Sequence, residues 1–419
     1  MSYISRLLPR SSSIVKAGWI HLRVNSVRLN QPRRCISSRA TSTNGSTSRL
    51  GEHMENEAQH LNNGTVPVDN WSHPGPAAFD FRSDVMTTPT MRMLSAISST
   101  TLLDDVYQLD PTTNNLEAFI AELTGKETSL FVLSGTMGNQ VAIRAHLQGP
   151  PHSVVTDHRS HIWKYEAGGV ASLCGALIRL VEPSNGDFVT LEDVQKQTVL
   201  STNVHYCPTK LISLENTLDG IILPLAECRR ISTWARENDI IMHLDGARLW
   251  EAVASGAGSL KDYCACFDSI SLCFSKGLGA PIGSIIVGTQ PFCDRARWIR
   301  KSIGGGLRQA GVVTAAARVA VEDTFLGGKL QASHLRAQRI AQMWRDRGGK
   351  LANPVQTNMV WLDLEAAGIT DEGFVEEGEK VGLMLGGGRL VIHYQIGDEA
   401  VMKLEGVMDA VLKGKKTNR

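Results

Sequence analysis

Leu130-Phe131-Val132-Leu133-Ser134-Gly135-Thr136-Met137-Gly138-Asn139 is a short apolar run that breaks at a Ser-Gly-Thr turn and passes into a helical pattern through Val141, Ile143 and Arg144. The same alternation recurs along the chain, with β-rich runs at 153–156, 211–214, 240–244, 269–274 and 284–287 separated by stretches of helical length. Apolar runs this short, spaced this way, predict a largely parallel sheet covered on both faces, an α/β architecture. Beyond Gly327-Gly328 the pattern changes. A polar helical stretch at 330–347 and strand-like runs at 359–364 and 390–394 enclose another helical stretch at 370–381, which predicts a small C-terminal α+β unit. No internal repeat interrupts this order.

The 419 residues are 42% hydrophobic and 20% charged, enough for a large buried core and too apolar for a disordered or fibrous chain. Their near-zero net charge of +1 averages two unlike parts. Residues 1–51 carry nine basic residues and no Asp or Glu, which leaves 34 basic against 42 acidic residues, a charge of −8, for the remainder. A basic, Ser/Thr-rich leader that mixes Arg with Leu7, Leu8, Ile14 and Trp19 has the pattern of a mitochondrial presequence; a disordered basic extension is the alternative. Residues 52–78, rich in Asn, Gly and Pro, read as linker, 79–325 as a large domain with an N-terminal arm, and 326–419 as the small domain. The charge balance offers no bulk positive charge to hold nucleic acid, and no segment reaches the ~18–20 apolar residues of a membrane-spanning helix. The eight cysteines form no CxxC pair and read as reduced core thiols.

Three stretches could carry chemistry. At Ser134-Gly135-Thr136 a strand enters a helix, so free backbone N–H groups, the positive dipole end and two hydroxyls coincide, a combination that binds phosphate. An ordinary Ser N-cap with a tight-turn glycine explains the same residues. In His243-Leu244-Asp245-Gly246-Ala247-Arg248 an acid closes a strand, where the ligand crevice of an open α/β sheet lies, although a structural ion pair would use the same acid. In Phe274-Ser275-Lys276-Gly277-Leu278-Gly279-Ala280-Pro281 a lysine follows a strand among small residues, placed for desolvation and imine formation. The glycines have the wrong spacing for a dinucleotide fingerprint, and there is no GxxxxGK[ST]. Asp157-His158-Arg159-Ser160-His161 lacks the HExxH pattern and a cysteine partner, so no metal site is expected. Taken in order, a phosphate cradle, a strand-end aspartate and a later strand-end lysine are the parts that hold pyridoxal phosphate.

From here the chain resembles the low-specificity L-threonine aldolases, fold-type-I pyridoxal 5'-phosphate enzymes. The likeness runs through Phe81-Arg82-Ser83-Asp84, Asp104-Asp105-Val106-Tyr107, the cradle at 134–139 and Tyr165-Glu166-Ala167-Gly168-Gly169. It continues in Leu214-Glu215-Asn216-Thr217, His243 to Arg248, the lysine stretch, Gly304-Gly305-Gly306-Leu307-Arg308 and Thr357-Asn358, and spans about residues 79–400. The resemblance implies a transferase-like large domain and Lys276 as the Schiff-base lysine. It makes Asp245 the partner of the pyridinium nitrogen, Ser134, Gly135 and Thr136 the phosphate cradle, and His161 the ring-stacking group that assists proton transfer. It also implies that Ser83, Arg248 and Arg389 grip the substrate carboxylate, with Arg248 near the cofactor phenolate as well. Arg308 would reach a neighbouring subunit's phosphate and Tyr107 would lie near the subunit boundary, so a homo-oligomer with shared sites, a dimer or a dimer of dimers, is expected.

The implied reaction is retro-aldol cleavage of L-threonine or L-allo-threonine to glycine and acetaldehyde. The chain departs from the family pattern at Leu218, where many members carry a histidine that meets the β-hydroxyl, and at Val85, Leu103, Gln108 and Leu109 near the expected entrance. Loss of that histidine keeps open a second activity on the same cofactor: alanine or other amino-acid racemisation, or aldol addition for a specialised product. A non-catalytic homologue is a third reading, opposed by the retained Lys276, Asp245 and His161.

Overall fold

The computed structural model describes residues 71–413; the basic leader and residues 52–70 of the linker lie outside the described residues. The rest of the linker is a turn followed by the single-turn helix Gly75–Phe79, in which Ala77 is already buried.

Seven strands form the main sheet: β1 Thr128–Val132, β2 Ser153–Asp157, β3 Leu177–Val181, β4 Thr209–Glu215, β5 Ile241–Asp245, β6 Ser269–Cys273 and β7 Ser284–Gly288. Their order across the sheet is β1-β7-β6-β5-β4-β2-β3. The pairs from β6 through β5, β4 and β2 to β3 are parallel, whereas β7 runs against both β6 and β1, so β1 points the same way as β6. This is the mostly parallel α/β sheet that the apolar runs predict. Every residue of β2, β6 and β7 is buried, as in a sheet clad on both faces. The run 177–181 escapes sequence reading because β3 is an edge strand, only its last residue buried, with Arg179 at its centre reaching out to the Gln197 carbonyl.

A second, antiparallel sheet of order β10-β9-β8 is built from β8 Lys350–Leu351, β9 Met359–Asp363 and β10 Arg389–Val391. It packs with the helices Lys329–Asp346, Asp371–Glu379 and Asp398–Lys413 around a separate apolar core that includes Trp344, Phe374 and Leu404. Phe81 of the N-terminal arm is buried in this second core. Its backbone N–H donates to the Met384 carbonyl at 2.9 Å and its carbonyl accepts from Val391 N at 2.8 Å. The arm is thereby held against the small sheet, and the residues that follow Phe81 are carried toward the strand ends of the large one.

Because β1, β2, β4, β5 and β6 run in one direction, their carboxyl ends share one edge of the sheet. Ser134, His161, Glu215, Asp245 and Lys276 follow or close these five strands, so residues far apart in sequence face one crevice.

Candidate active site

Ser134 N-caps the helix Gly135–His146, its Oγ accepting from Met137 N at 3.1 Å, while the first helical N–H groups stay at the helix mouth. Glycine is required there by packing. A Cβ on Gly135 would lie 2.7 Å from Cys273 Sγ, and one on Gly138 would run into Ser271 Oγ, so the helix start rests directly on β6. The strand that leads to Lys276 is therefore locked to the turn that could hold phosphate.

Lys276 sits in a tight loop after β6. Gly279 N donates to the Lys276 carbonyl at 2.9 Å, Thr87 Oγ1 donates to the same carbonyl at 3.0 Å, and Ala280 N closes back on Phe274 O at 3.0 Å. Gly279 adopts φ +87°, a left-handed conformation, and packs against Tyr394, so a side chain there would meet both strain and a clash. None of the ion pairs among the described residues engages the Lys276 ammonium, which borders a narrow cleft with Arg248 and Glu251.

Asp245 is buried at the end of β5, and its two oxygens are separately assigned. Oδ1 accepts from Ala247 N at 3.1 Å and Oδ2 from Asn139 Nδ2 at 2.7 Å. The same Asn139 amide donates to Glu166 Oε1 at 2.8 Å, and Glu166 Oε1 also lies 2.9 Å from His161 Nδ1. His161 is fixed from its backbone too, where its N–H donates to Glu215 Oε2 at 2.8 Å. Since Nδ1 is engaged, Nε2 is the ring nitrogen of His161 left to exchange a proton. Burial raises Glu166 above the ordinary carboxylate range, while the His161 hydrogen bond pulls it back. Burial, then the charge of Asp245 on the neighbouring strand, pushes Glu215 well above the ordinary carboxylate range.

Arg248 is held by a carboxylate that sequence reading does not single out. Its Nε donates to Asp84 Oδ2 at 2.8 Å and its Nη2 to Asp84 Oδ1 at 2.6 Å, a two-pronged pair in which Asp84 is fully buried. Burial opposes both charges, but the pairing prevails: Arg248 is held above its usual range and Asp84 well below the carboxylate range. Arg248 Nη1 remains free for a ligand. Arg389 lies across the same cavity, donating to the Arg82 carbonyl at 3.1 Å, with its guanidinium 5.7 Å from the centre of the Trp361 ring. Burial and then the charge of Arg248 lower its pKa, as expected for a cation that lacks an acidic partner. The cavity has a volume of about 370 Å³; His161, Tyr165, Leu218, Arg248, Trp361 and Arg389 are among its walls.

Of the expected site residues, the cavity brings together His161, Arg248 and Arg389, with Lys276 beside Arg248 and Asp245 joined to His161 through Asn139 and Glu166. Ser83 is not in the cavity wall; it caps the turn Asp84–Met86 and so sets the position of Asp84. Arg308 is exposed and pairs with Asp104 of its own chain. His161, Glu166 and Asp245 present atoms within 4.8 Å of one another, a grouping that a cation could exploit, but Asn139 and His161 already tie these carboxylates by hydrogen bonds.

Fold and site together define an α/β enzyme with its ligand crevice at the carboxyl ends of parallel strands. The chain belongs to the beta-eliminating lyase family, whose model matches residues 80–367. It is 61% identical over 352 residues to an aldolase, vrtJ, from Penicillium aethiopicum, covering 84% of this chain and 91% of that protein. It is 46% identical to the alanine racemase TOXG of Cochliobolus carbonum over 82% of this chain and 90% of that protein. The low specificity L-threonine aldolase of Saccharomyces cerevisiae is 43% identical over 78% of this chain and 85% of its own length. Among solved structures, the threonine aldolase of Leishmania major shares the fold with a TM-score of 0.69 at 20% identity, covering 80% of this chain and 99% of that one.

Proposed function

We propose that this chain is a pyridoxal 5'-phosphate-dependent lyase that cleaves β-hydroxy-α-amino acids such as L-threonine or L-allo-threonine between Cα and Cβ, releasing glycine and an aldehyde. The observation that carries this reading is the donor set at one sheet edge: an unpaired amine on Lys276, the buried carboxylate of Asp245 and the open helix mouth at Ser134, Gly135 and Thr136. These residues fit the cofactor by kind, since it offers an aldehyde, a basic ring nitrogen and a phosphate. Bound there, the cofactor would supply an electron sink for the bond broken at Cα.

The protein's own groups do the rest. Arg248 and Arg389 bind the carboxylate of the amino acid from two sides, which fixes the rotation about Cα. Asp84 keeps Arg248 aimed, and Asp245, buried at the end of β5, would keep the ring nitrogen of a bound cofactor protonated. His161 Nε2, with the imidazole anchored through Nδ1, accepts the β-hydroxyl proton. Aldolases of high identity support the reading, while the racemase relative and Leu218 in the cavity wall favour a second one, racemisation of alanine or aldol chemistry on another β-hydroxy amino acid. Incubating the purified protein separately with L-threonine, L-allo-threonine and L-alanine, and following aldehyde release and the stereochemistry of recovered alanine, decides between them. Aldehyde from either threonine supports the aldolase, racemised alanine without aldehyde replaces it, and a protein with neither activity whose visible absorption is unchanged by Lys276→Ala overturns the cofactor assignment.

A homo-oligomer is part of this reading, supported by the exposed Leu102, Leu103, Tyr107, Leu109 and Trp298; sedimentation of a monomer at micromolar concentration would refute it. The basic leader supports import into mitochondria, to be tested by the N-terminal sequence of the protein isolated from its own cell.

A further inference from the structure

Behind Asp245 a line of buried polar groups leads away from the cavity. His146 Nε2 lies 2.7 Å from Ser269 Oγ, Ser269 Oγ lies 2.9 Å from His243 Nδ1, and His243 Nε2 lies 3.1 Å from Asn139 Oδ1. Asn139 then meets Asp245 and Glu166 through its Nδ2. His243, Ser269 and Asn139 are buried, and the imidazole of His146 is stacked on Phe292 at 4.5 Å between ring centres.

The chemistry of each group fixes which way the hydrogens point. Two carboxylate oxygens flank one end of the Asn139 amide, and only its NH2 has two hydrogens to serve both. Its Oδ1 must then accept, so His243 carries its hydrogen on Nε2. His243 Nδ1 is left as an acceptor, which turns the Ser269 hydroxyl hydrogen toward it, and Ser269 Oγ in turn accepts from His146 Nε2–H. Every donor points toward Asp245, an arrangement in which each bond polarises the next.

We propose that His146, Ser269, His243 and Asn139 form a one-way hydrogen-bond relay that positions Asp245 and Glu166, with His243 the residue that prevents the Asn139 amide from turning over. This rests on the cofactor reading above in so far as Asp245 faces the ring nitrogen. Asn139 also ties the ring-nitrogen partner to the carboxylate that orients His161, so one amide sets two catalytic groups. The titratable groups facing His243 are His146 and Asp245; those facing Asp245 are His161, Glu166, Glu215, His243 and Cys273, and those facing His146 are His243 and Asp268. Burial pushes His243 down to about 3 and His146 down to about 4, so both are neutral donor–acceptors at working pH.

Three proteins test this: wild type, His243→Phe, which cuts the relay, and His243→Gln, whose amide can still donate to Asn139. In the cofactor-loaded proteins we expect His243→Phe to lose pyridoxal phosphate on dialysis about tenfold faster, the upper end for loss of one buried hydrogen bond between neutral groups, and to shift the pH midpoint of the visible band. His243→Gln should recover both properties. A folded His243→Phe with wild-type retention and midpoint overturns the relay, as does a His243→Gln no better than His243→Phe. The tautomer is read independently by 15N NMR of the imidazoles in the wild-type protein. Hydrogen on His243 Nε2 supports the relay and hydrogen on Nδ1 overturns it, whether or not cofactor binds. A wild-type protein that takes up no cofactor would sink the proposed function and leave the tautomer to decide this inference.

Discussion

Replacing Asp84 by Asn tests whether Arg248 is a positioned ligand-binding cation or merely a buried charge. The Asp84 carboxylate takes both the Nε and Nη2 hydrogens of Arg248, is fully buried, and has Asn358 Nδ2 as a weaker third contact at 3.4 Å. Removing one partner of a buried pair leaves the other charge uncompensated, at about 3–5 kcal/mol. The amide retains one acceptor oxygen, so Asp84→Asn should fall at the low end, about 3 kcal/mol of unfolding free energy. The effect on ligand binding is separate. Arg248 released from its fork no longer presents Nη1 to the cavity in a fixed geometry, and one charge-assisted hydrogen bond of ~1.5–3 kcal/mol is forfeited, roughly 10- to 100-fold in kcat/KM. Urea unfolding and steady-state kinetics on the wild type, Asp84→Asn, Arg248→Met and the double variant complete a cycle. The two single losses should fail to add, because each variant removes the same interaction. Additive losses, or an Asp84→Asn protein with wild-type stability and KM, would refute the assignment of Asp84 as the group that aims Arg248.

The remaining predictions concern the cradle, the relay and the cavity wall. Gly138→Ala should cost about 1–3 kcal/mol by overpacking, since the new methyl would meet Ser271 Oγ and lie 3.3 Å from Ile286 Cγ2; unchanged denaturant midpoints would show that the helix start can move off β6. Burial lowers His243 to about 3 against ~6.5 in the unfolded chain, so on acidification the unfolded state takes up its proton first. Its contribution is complete above ~6.5 and declines by about 1.4 kcal/mol per pH unit as pH falls toward 3, a slope that His243→Phe should make shallower. Leu218→His should lower KM for a β-hydroxy amino acid and leave that for alanine unchanged, because it adds a donor only to the cavity wall; equal changes for both substrates would place position 218 away from the hydroxyl.

Much of this site is legible in the sequence, for a physical reason. In a parallel sheet, residues that terminate strands converge on one edge, so reading strand ends is equivalent to reading part of the crevice. Ser134, Asp245 and Lys276 follow short apolar runs, and β1, β5 and β6 end within one residue of the ends of those runs. The small unit is legible in the same way, from the change of pattern after Gly328 and from the helix and strands that fall on Lys329–Asp346, Met359–Asp363 and Arg389–Val391. The edge strand β3 and the two-residue β8 lack the continuous burial that makes a strand visible in sequence.

What sequence reading passes over is the set of groups that hold the strand-end residues in place. Asp84 lies 164 residues from Arg248, and Asn139 lies 106 residues from Asp245, so no local spacing announces either pair. Both stand inside stretches that show a different signal: Asp84 follows Ser83, which the family resemblance makes a carboxylate-binding hydroxyl, and Asn139 ends a glycine turn that reads as a phosphate cradle. In the folded chain Ser83 caps the turn that carries Asp84, and Asn139 points inward from the first turns of the cradle helix to two carboxylates and a histidine. The only available signal was polarity at positions the helix must bury. Asn139 and Gln140 precede Val141 on a helix whose first turn rests on β6, and buried amides persist where something needs their hydrogens. A polar residue that periodicity assigns to the covered face of a strand-end helix is thus a stronger pointer to a site than the hydroxyls before it, because its burial must be offset by partners the sequence has yet to reveal.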